Sequence, residues 1–167
     1  MVPANVKPGD FGLVHMGGDA GKWIRIGQWL NGSGFSDYEH AFIYVGSDTI
    51  VEAEPSGAHI TKSHYSNILW SSGIINPTDT QRLAIVKAAR SYVGTPYSWA
   101  DYFSLAARRL HIPAPHLKAF VASSNHMICS QLVARCYADA GCPLYDRWTG
   151  YVTPGDLCQL LQLPDRR

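Results

Sequence analysis

The chain contains no long apolar run: nothing in its 167 residues reaches the roughly 20 consecutive apolar positions that a membrane-spanning helix needs. Charge of one sign is also scarce in excess. Fourteen basic side chains face 13 acidic ones, for a formal net charge of +1. That balance offers no electrostatic reason for a nucleic acid or an anionic membrane surface as partner. The first residues, Met1-Val2-Pro3-Ala4-Asn5-Val6-Lys7-Pro8, show no basic stretch followed by an apolar segment. The expectation is therefore no signal peptide and a protein that is cytoplasmic as synthesised, with delivery by another route left open. Several catalytic signatures are missing: G-x-S-x-G, the P-loop, H-E-x-x-H and G-x-G-x-x-G. Cysteine is sparse, with four residues (Cys129, Cys136, Cys142, Cys158) confined to the last quarter and lacking C-x-x-C spacing. Neither a metal site nor a disulfide framework is indicated, and no cofactor is implied. Cys136 and Cys158 read as small apolar core residues on helices. A Cys136–Cys142 pairing fits an exported protein but has no positive support.

What is present is a core. Hydrophobic residues make up 46% of the chain, enough for residues 1–167 to form a single domain without metals or cross-links. Pro8-Gly9-Asp10 turns into a short strand at Phe11 to Val14. Gly21 to Leu30 places Trp23, Ile26, Gly27 and Leu30 at helical spacing, and Asn31-Gly32-Ser33-Gly34 ends that helix. Tyr38 to Val45 alternates, with Tyr38, His40, Phe42 and Tyr44 on one face and Ala41, Ile43 and Val45 on the other. Gly46-Ser47-Asp48 turns into a strand from Thr49 to Glu54, and Pro55-Ser56-Gly57 turns again into Ala58 to Lys62. The second half is helical. Thr78-Asp79-Thr80-Gln81 fits a capping box, opening a helix through Leu83, Val86, Ala89 and Tyr92 that stops at Gly94. Further helices are expected from Trp99 to Leu110, near Leu117 to Ala122, and from Ile128 to Ala140, closed by Gly141. A last one starts at Thr153-Pro154-Gly155-Asp156, with proline at its first position. A sheet-rich first half and a helical second half give an α+β fold, an antiparallel sheet packed against helices that carry Cys129.

Cys129 sits in the first turn of its helix, on the apolar face. Unpaired backbone N–H groups and the positive end of the helix dipole lower a thiol pKa there, and the same N–H groups can hold an oxyanion. A buried structural cysteine is the competing reading. His40 lies mid-strand, a costly place for imidazole unless its nitrogens have partners, so it is either a satisfied core histidine or a base. His126, three residues before Cys129, is its nearest rival. His15, His59, His64, His111 and His116 fall in turns, edges or loops without an adjoining orienting group. Glu52 and Glu54 share one parity on the next strand, where one of them would lie beside the imidazole, accept its N–H and fix its tautomer. Glu54, next to Pro55, reads better as an exposed edge charge. Tyr97, in Gly94-Thr95-Pro96-Tyr97, is either a hydrogen-bond donor beside the nucleophile or a core aromatic.

Taken in order, Gly9-Asp10, His40-Ala41-Phe42-Ile43-Tyr44-Val45-Gly46, Val51-Glu52-Ala53, Gly94-Thr95-Pro96-Tyr97, Cys129-Ser130-Gln131-Leu132-Val133 and Thr153-Pro154-Gly155-Asp156-Leu157 resemble the NlpC-like cell-wall hydrolases. Histidine before cysteine resembles the circularly permuted branch of that papain-like superfamily. The resemblance implies Cys129 as nucleophile, His40 as base, Glu52 as the histidine-orienting residue and Tyr97 as an oxyanion or substrate-positioning group. Ile128 stands where unpermuted members commonly carry aspartate. The implied activity is cysteine hydrolysis of an amide bond in peptidoglycan stem peptides, with Trp23, Trp29 and Trp99 as candidate groove residues. A phage particle or another protein could deliver such an enzyme to the wall. Permuted relatives also include lipid acyltransferases and amidases, for which the apolar segment Phe103 to Val121 could border an acyl site. A non-catalytic binding or virion structural module on the same fold is the third reading.

Overall fold

The computed structural model describes residues 2–15, 38–97, 127–146 and 149–162. The expected helices over Gly21 to Leu30, Trp99 to Leu110 and Leu117 to Ala122 lie outside those residues, as do Trp23, Trp29, Trp99 and His126. Five strands form one sheet: β1 (Phe11–Val14), β2 (His40–Gly46), β3 (Thr49–Glu54), β4 (Gly57–Lys62) and β5 (Leu69–Trp70), in the order β4-β3-β2-β1-β5. Every neighbouring pair is antiparallel. Three helices are described, α1 (Asp79–Ser91), α2 (Cys129–Asp139) and α3 (Pro154–Gln162), with a 3-10 turn at Thr149–Tyr151 before the last. The architecture is α+β. No described helix is long and apolar enough to cross a membrane.

Period-two alternation buries both faces of the sheet. Ala41, Ile43 and Val45 of β2 join Phe11, Leu13, Val51 and Ala53 in the main core. Against them pack Ile85, Ala88 and Ala89 of α1, Leu132, Val133, Cys136 and Tyr137 of α2, and Leu157, Cys158 and Leu161 of α3. The opposite parity, Val14, Phe42 and Ile50, builds a smaller cluster flanked by Tyr44, Tyr65, Ile68 and Trp70. His40 and Glu52 have the parity of this second face. Tyr38 does not continue it: it precedes β2 and packs on the main core instead.

Polar ties fix the layers relative to one another. The capping box at α1 is present, with Gln81 N–H donating to Thr78 Oγ1 and Thr78 N–H to Gln81 Oε1. Buried Asp10 accepts from Arg82 Nη1 of α1 at 2.7 Å and from the Lys7 N–H at 2.8 Å. Tyr137 Oη of α2 donates to the Gly9 carbonyl at 2.8 Å, so the start of β1 is held from both helices. Gly9 has φ +92°, and a Cβ there would approach Arg82 Cα to 3.1 Å. Glycine is what lets the turn press against α1.

The short strand β5 is not predicted by alternation, because two residues carry no period. Its place is set by pairing: Leu69 opposes Leu13 and Trp70 opposes Gly12, while Ser71 Oγ accepts from the Phe11 N–H. Cys136 and Cys158 are buried on helices as expected, and Cys136 and Cys142 are free thiols.

Candidate active site

The start of α2 is anchored by the residues that follow Cys129. Ile128 is the N-cap and makes no side-chain cap hydrogen bond. Gln131 instead reaches both ways. Its Oε1 accepts from the Ile128 N–H at 3.1 Å, and its Nε2 donates to the Gly150 carbonyl at 2.9 Å. Ser130 Oγ donates to the Val152 carbonyl at 2.7 Å. Both side chains are fully buried, and Cys129 beside them has no exposed surface. Sequence reasoning treated Ser130 and Gln131 as part of a motif only. Both bonds pin the start of α2 to the segment before α3, and the sequence signal for them is polarity on a buried first turn.

His40 opens β2 opposite Val14 of β1 and is 2% exposed. Its Nε2 lies 2.7 Å from Glu52 Oε2, and Cys129 is near enough to act on the ring's pKa. Cross-strand register explains the choice between the two carboxylates. Glu52 opposes Phe42, which puts it diagonally from His40 on the same face. Glu52 is wholly buried, whereas Glu54 is partly exposed and its Oε2 lies 3.8 Å from His59 Nε2.

Electrostatics follow from this geometry. Burial alone would depress the His40 pKa, but hydrogen bonds to Cys129 and Glu52, and their charges, outweigh it and push it up to about 10. Burial acts to raise the Glu52 pKa. The hydrogen bond and charge of His40, the Tyr65 hydroxyl and the charge of His59 together hold it below the ordinary carboxylate value. His40 is therefore held as an imidazolium between two potential anions. A histidine so placed can exchange a proton with an adjacent thiol or with a leaving group.

Tyr65 was not anticipated. Its hydroxyl donates to Glu52 Oε2 at 2.7 Å, the oxygen that His40 also uses. It lies in the loop after β4, where no periodicity signals it. His59 is a second correction. The cross-strand register sets it opposite Glu52, with Nε2 3.6 Å from Glu52 Oε1, so it does adjoin the site. His15 likewise has a neighbour, the buried Glu39, at 3.3 Å. Tyr97 forms an isolated parallel bridge with Met127, which places its backbone beside the residues leading into Cys129. It is partly buried and packs on the main core. The structure thus brings Cys129, His40 and Glu52 together, with the Tyr97 backbone bridged to Met127, two residues before the thiol. Trp23 and Trp99 lie outside the described residues.

One donor atom each from His40, Glu52 and Glu54 lie within 4.8 Å of one another, a spacing a divalent cation can use. The 2.7 Å bond between His40 Nε2 and Glu52 Oε2 already joins two of those donors, so the group reads as a proton-sharing site. No protein-family model matches the chain, and no curated protein matches it.

Proposed function

We propose that this protein is a cysteine hydrolase on a circularly permuted papain-like fold, cleaving an amide bond in peptidoglycan stem peptides. The observation that carries this reading is the buried His40, hydrogen-bonded to Glu52 and adjacent to the buried Cys129. His40 takes the Cys129 proton, and the resulting imidazolium is held by Glu52. The thiolate adds to the substrate carbonyl. First-turn N–H groups left uncapped at Ile128, with Tyr97 nearby, supply oxyanion donors. Collapse of the tetrahedral intermediate breaks the C–N bond, and the His40 imidazolium gives its proton to the leaving amine. A water then adds to the thioester, losing its proton to His40, and the acid leaves with Cys129 restored.

The nucleophilic acyl chemistry draws its support from the geometry; the amide bond and the peptidoglycan substrate rest on the resemblance of the motifs. Incubation with purified peptidoglycan, and separately with phospholipid vesicles, tests the substrate against Cys129→Ala as control. Release of new amino groups from peptidoglycan by the wild type alone supports the reading. Acyl release from phospholipid alone moves the substrate to lipid, and inactivity on both favours a non-catalytic module.

A further inference from the structure

Glu52 carries more than the His40 bond, and what it carries points to a residue outside the proposed Cys129–His40–Glu52 group. Two donors converge on Glu52 Oε2: His40 Nε2 at 2.7 Å and Tyr65 Oη at 2.7 Å. The other oxygen, Oε1, is buried and makes no hydrogen bond among the described residues, with His59 Nε2 at 3.6 Å. The carboxylate's orientation is therefore set at Oε2, and one of the two groups that set it is a phenol.

The phenol is itself held. The Tyr65 ring stacks on Phe42 with centroids 5.4 Å apart and an interplanar angle of 11°. Phe42 is fully buried, meets Trp70 edge-on at 5.5 Å, and lies so close over β1 that a Cβ at Gly12 would come within 2.5 Å of its Cζ. A rigid aromatic layer thus sets where the Tyr65 hydroxyl sits. The same ring is 5.7 Å from the His40 ring, tilted at 52°. A tyrosine in a mobile or solvated loop would offer its hydroxyl to water. This one is directed to the carboxylate oxygen that the histidine needs.

We propose that Tyr65 is a positioning residue of the site, its hydroxyl anchoring the Glu52 oxygen that orients His40 and its stack on Phe42 fixing that anchor. The proposal rests on the hydrolase reading above. Tyr65 acts through Glu52 and touches no reacting atom. It is always a donor across the working range, since burial and its bond to Glu52 push the phenol pKa far up. Its removal leaves Glu52 more basic and less fixed, and both effects draw the proton-sharing group toward protonation at higher pH.

The test is the pH profile of Cys129 alkylation, read peptide by peptide by mass spectrometry, in the wild type and in Tyr65→Phe. Phe keeps the stack and removes one hydroxyl. A hydrogen bond to a charged group corresponds to a shift of about one pH unit, so the acid limb should move up by about that much. Should Tyr65→Phe fail to fold, 3-fluorotyrosine introduced at position 65 reads the same bond. A more acidic phenol is a stronger donor and should move the acid limb down. An unmoved acid limb in Tyr65→Phe, or in the fluorinated protein if that is the one that folds, overturns the proposal while leaving the hydrolase reading intact. A wild-type Cys129 that reacts as an ordinary thiol overturns both.

Discussion

Gly12→Ala is a sharp probe of how the sheet supports the site. Gly12 has no positive φ, so the backbone accepts alanine, and loss of unfolded-state freedom alone would stabilise by about 0.4–1 kcal/mol. Against that stands the Phe42 ring. An alanine Cβ would sit 2.5 Å from Phe42 Cζ, 2.7 Å from Phe42 Cε2 and 2.7 Å from Ile68 Cγ2. Ordinary carbon contacts lie near 3.5–4.0 Å, so the ring must retreat by about 1 Å. It is fully buried between Tyr65 and Trp70 and has no free space of its own. Overpacking of this kind costs about 1–3 kcal/mol, which exceeds the entropic gain and leaves a net loss of about 1–2 kcal/mol. For a domain of this size that is a fall of roughly 3–8 °C in melting temperature. Differential scanning calorimetry measures it directly. Phe42→Leu frees the space, so the double variant should lose less than the sum of the two single variants. Because Tyr65 stacks on the displaced ring, Gly12→Ala should also slow Cys129 alkylation. A Gly12→Ala protein as stable as the wild type, or more stable, refutes the claim that Phe42 occupies that space.

Two further outcomes follow from the buried charges. Arg82→Met leaves Asp10 buried without its partner and should cost about 3 kcal/mol in urea unfolding, with Arg82→Met/Asp10→Asn recovering part of it; equal losses would argue against the ion pair. The site also imposes a pH window on stability. His40, raised to about 10, contributes stability fully present below its unfolded value near 6.5 and lost as pH rises through about 10. Glu52, held low, contributes stability present above its ordinary value near 4.5 and lost as pH falls through its folded value. The difference in melting temperature between wild type and His40→Gln/Glu52→Gln should therefore be largest between about pH 5 and 6.5, and a flat difference from pH 4 to 10 would contradict it.

Much of the α+β layout was legible because the local signals agree with the packing. The alternation of Ala41, Ile43 and Val45 against Phe42 marks β2, the Thr78–Gln81 box marks the start of α1, and Pro154 marks α3. Cys129 at a helix start and His40 in a strand were visible for the same reason. What escaped depends on register and on contacts distant in sequence. The sequence favours Glu52 over Glu54 only through Glu54's place next to Pro55; the register that sets Glu52 opposite Phe42 is stated by no single-strand pattern. His59 enters through the next register along, and Tyr65 through a loop whose position follows only from the stack on Phe42. Gln131 and Ser130 reach carbonyls of residues 150 and 152, so their roles appear only once the chain has folded back.

The central claim is that Cys129 and His40 form an ion pair held by Glu52. The most direct measurement is the rate of Cys129 alkylation by iodoacetamide against pH, in wild type and in His40→Ala. A thiolate–imidazolium pair predicts fast alkylation well below the free-cysteine value of about 8.5, with that advantage lost in His40→Ala. An ordinary thiol profile in the wild type, or one that His40→Ala leaves unchanged, would contradict it.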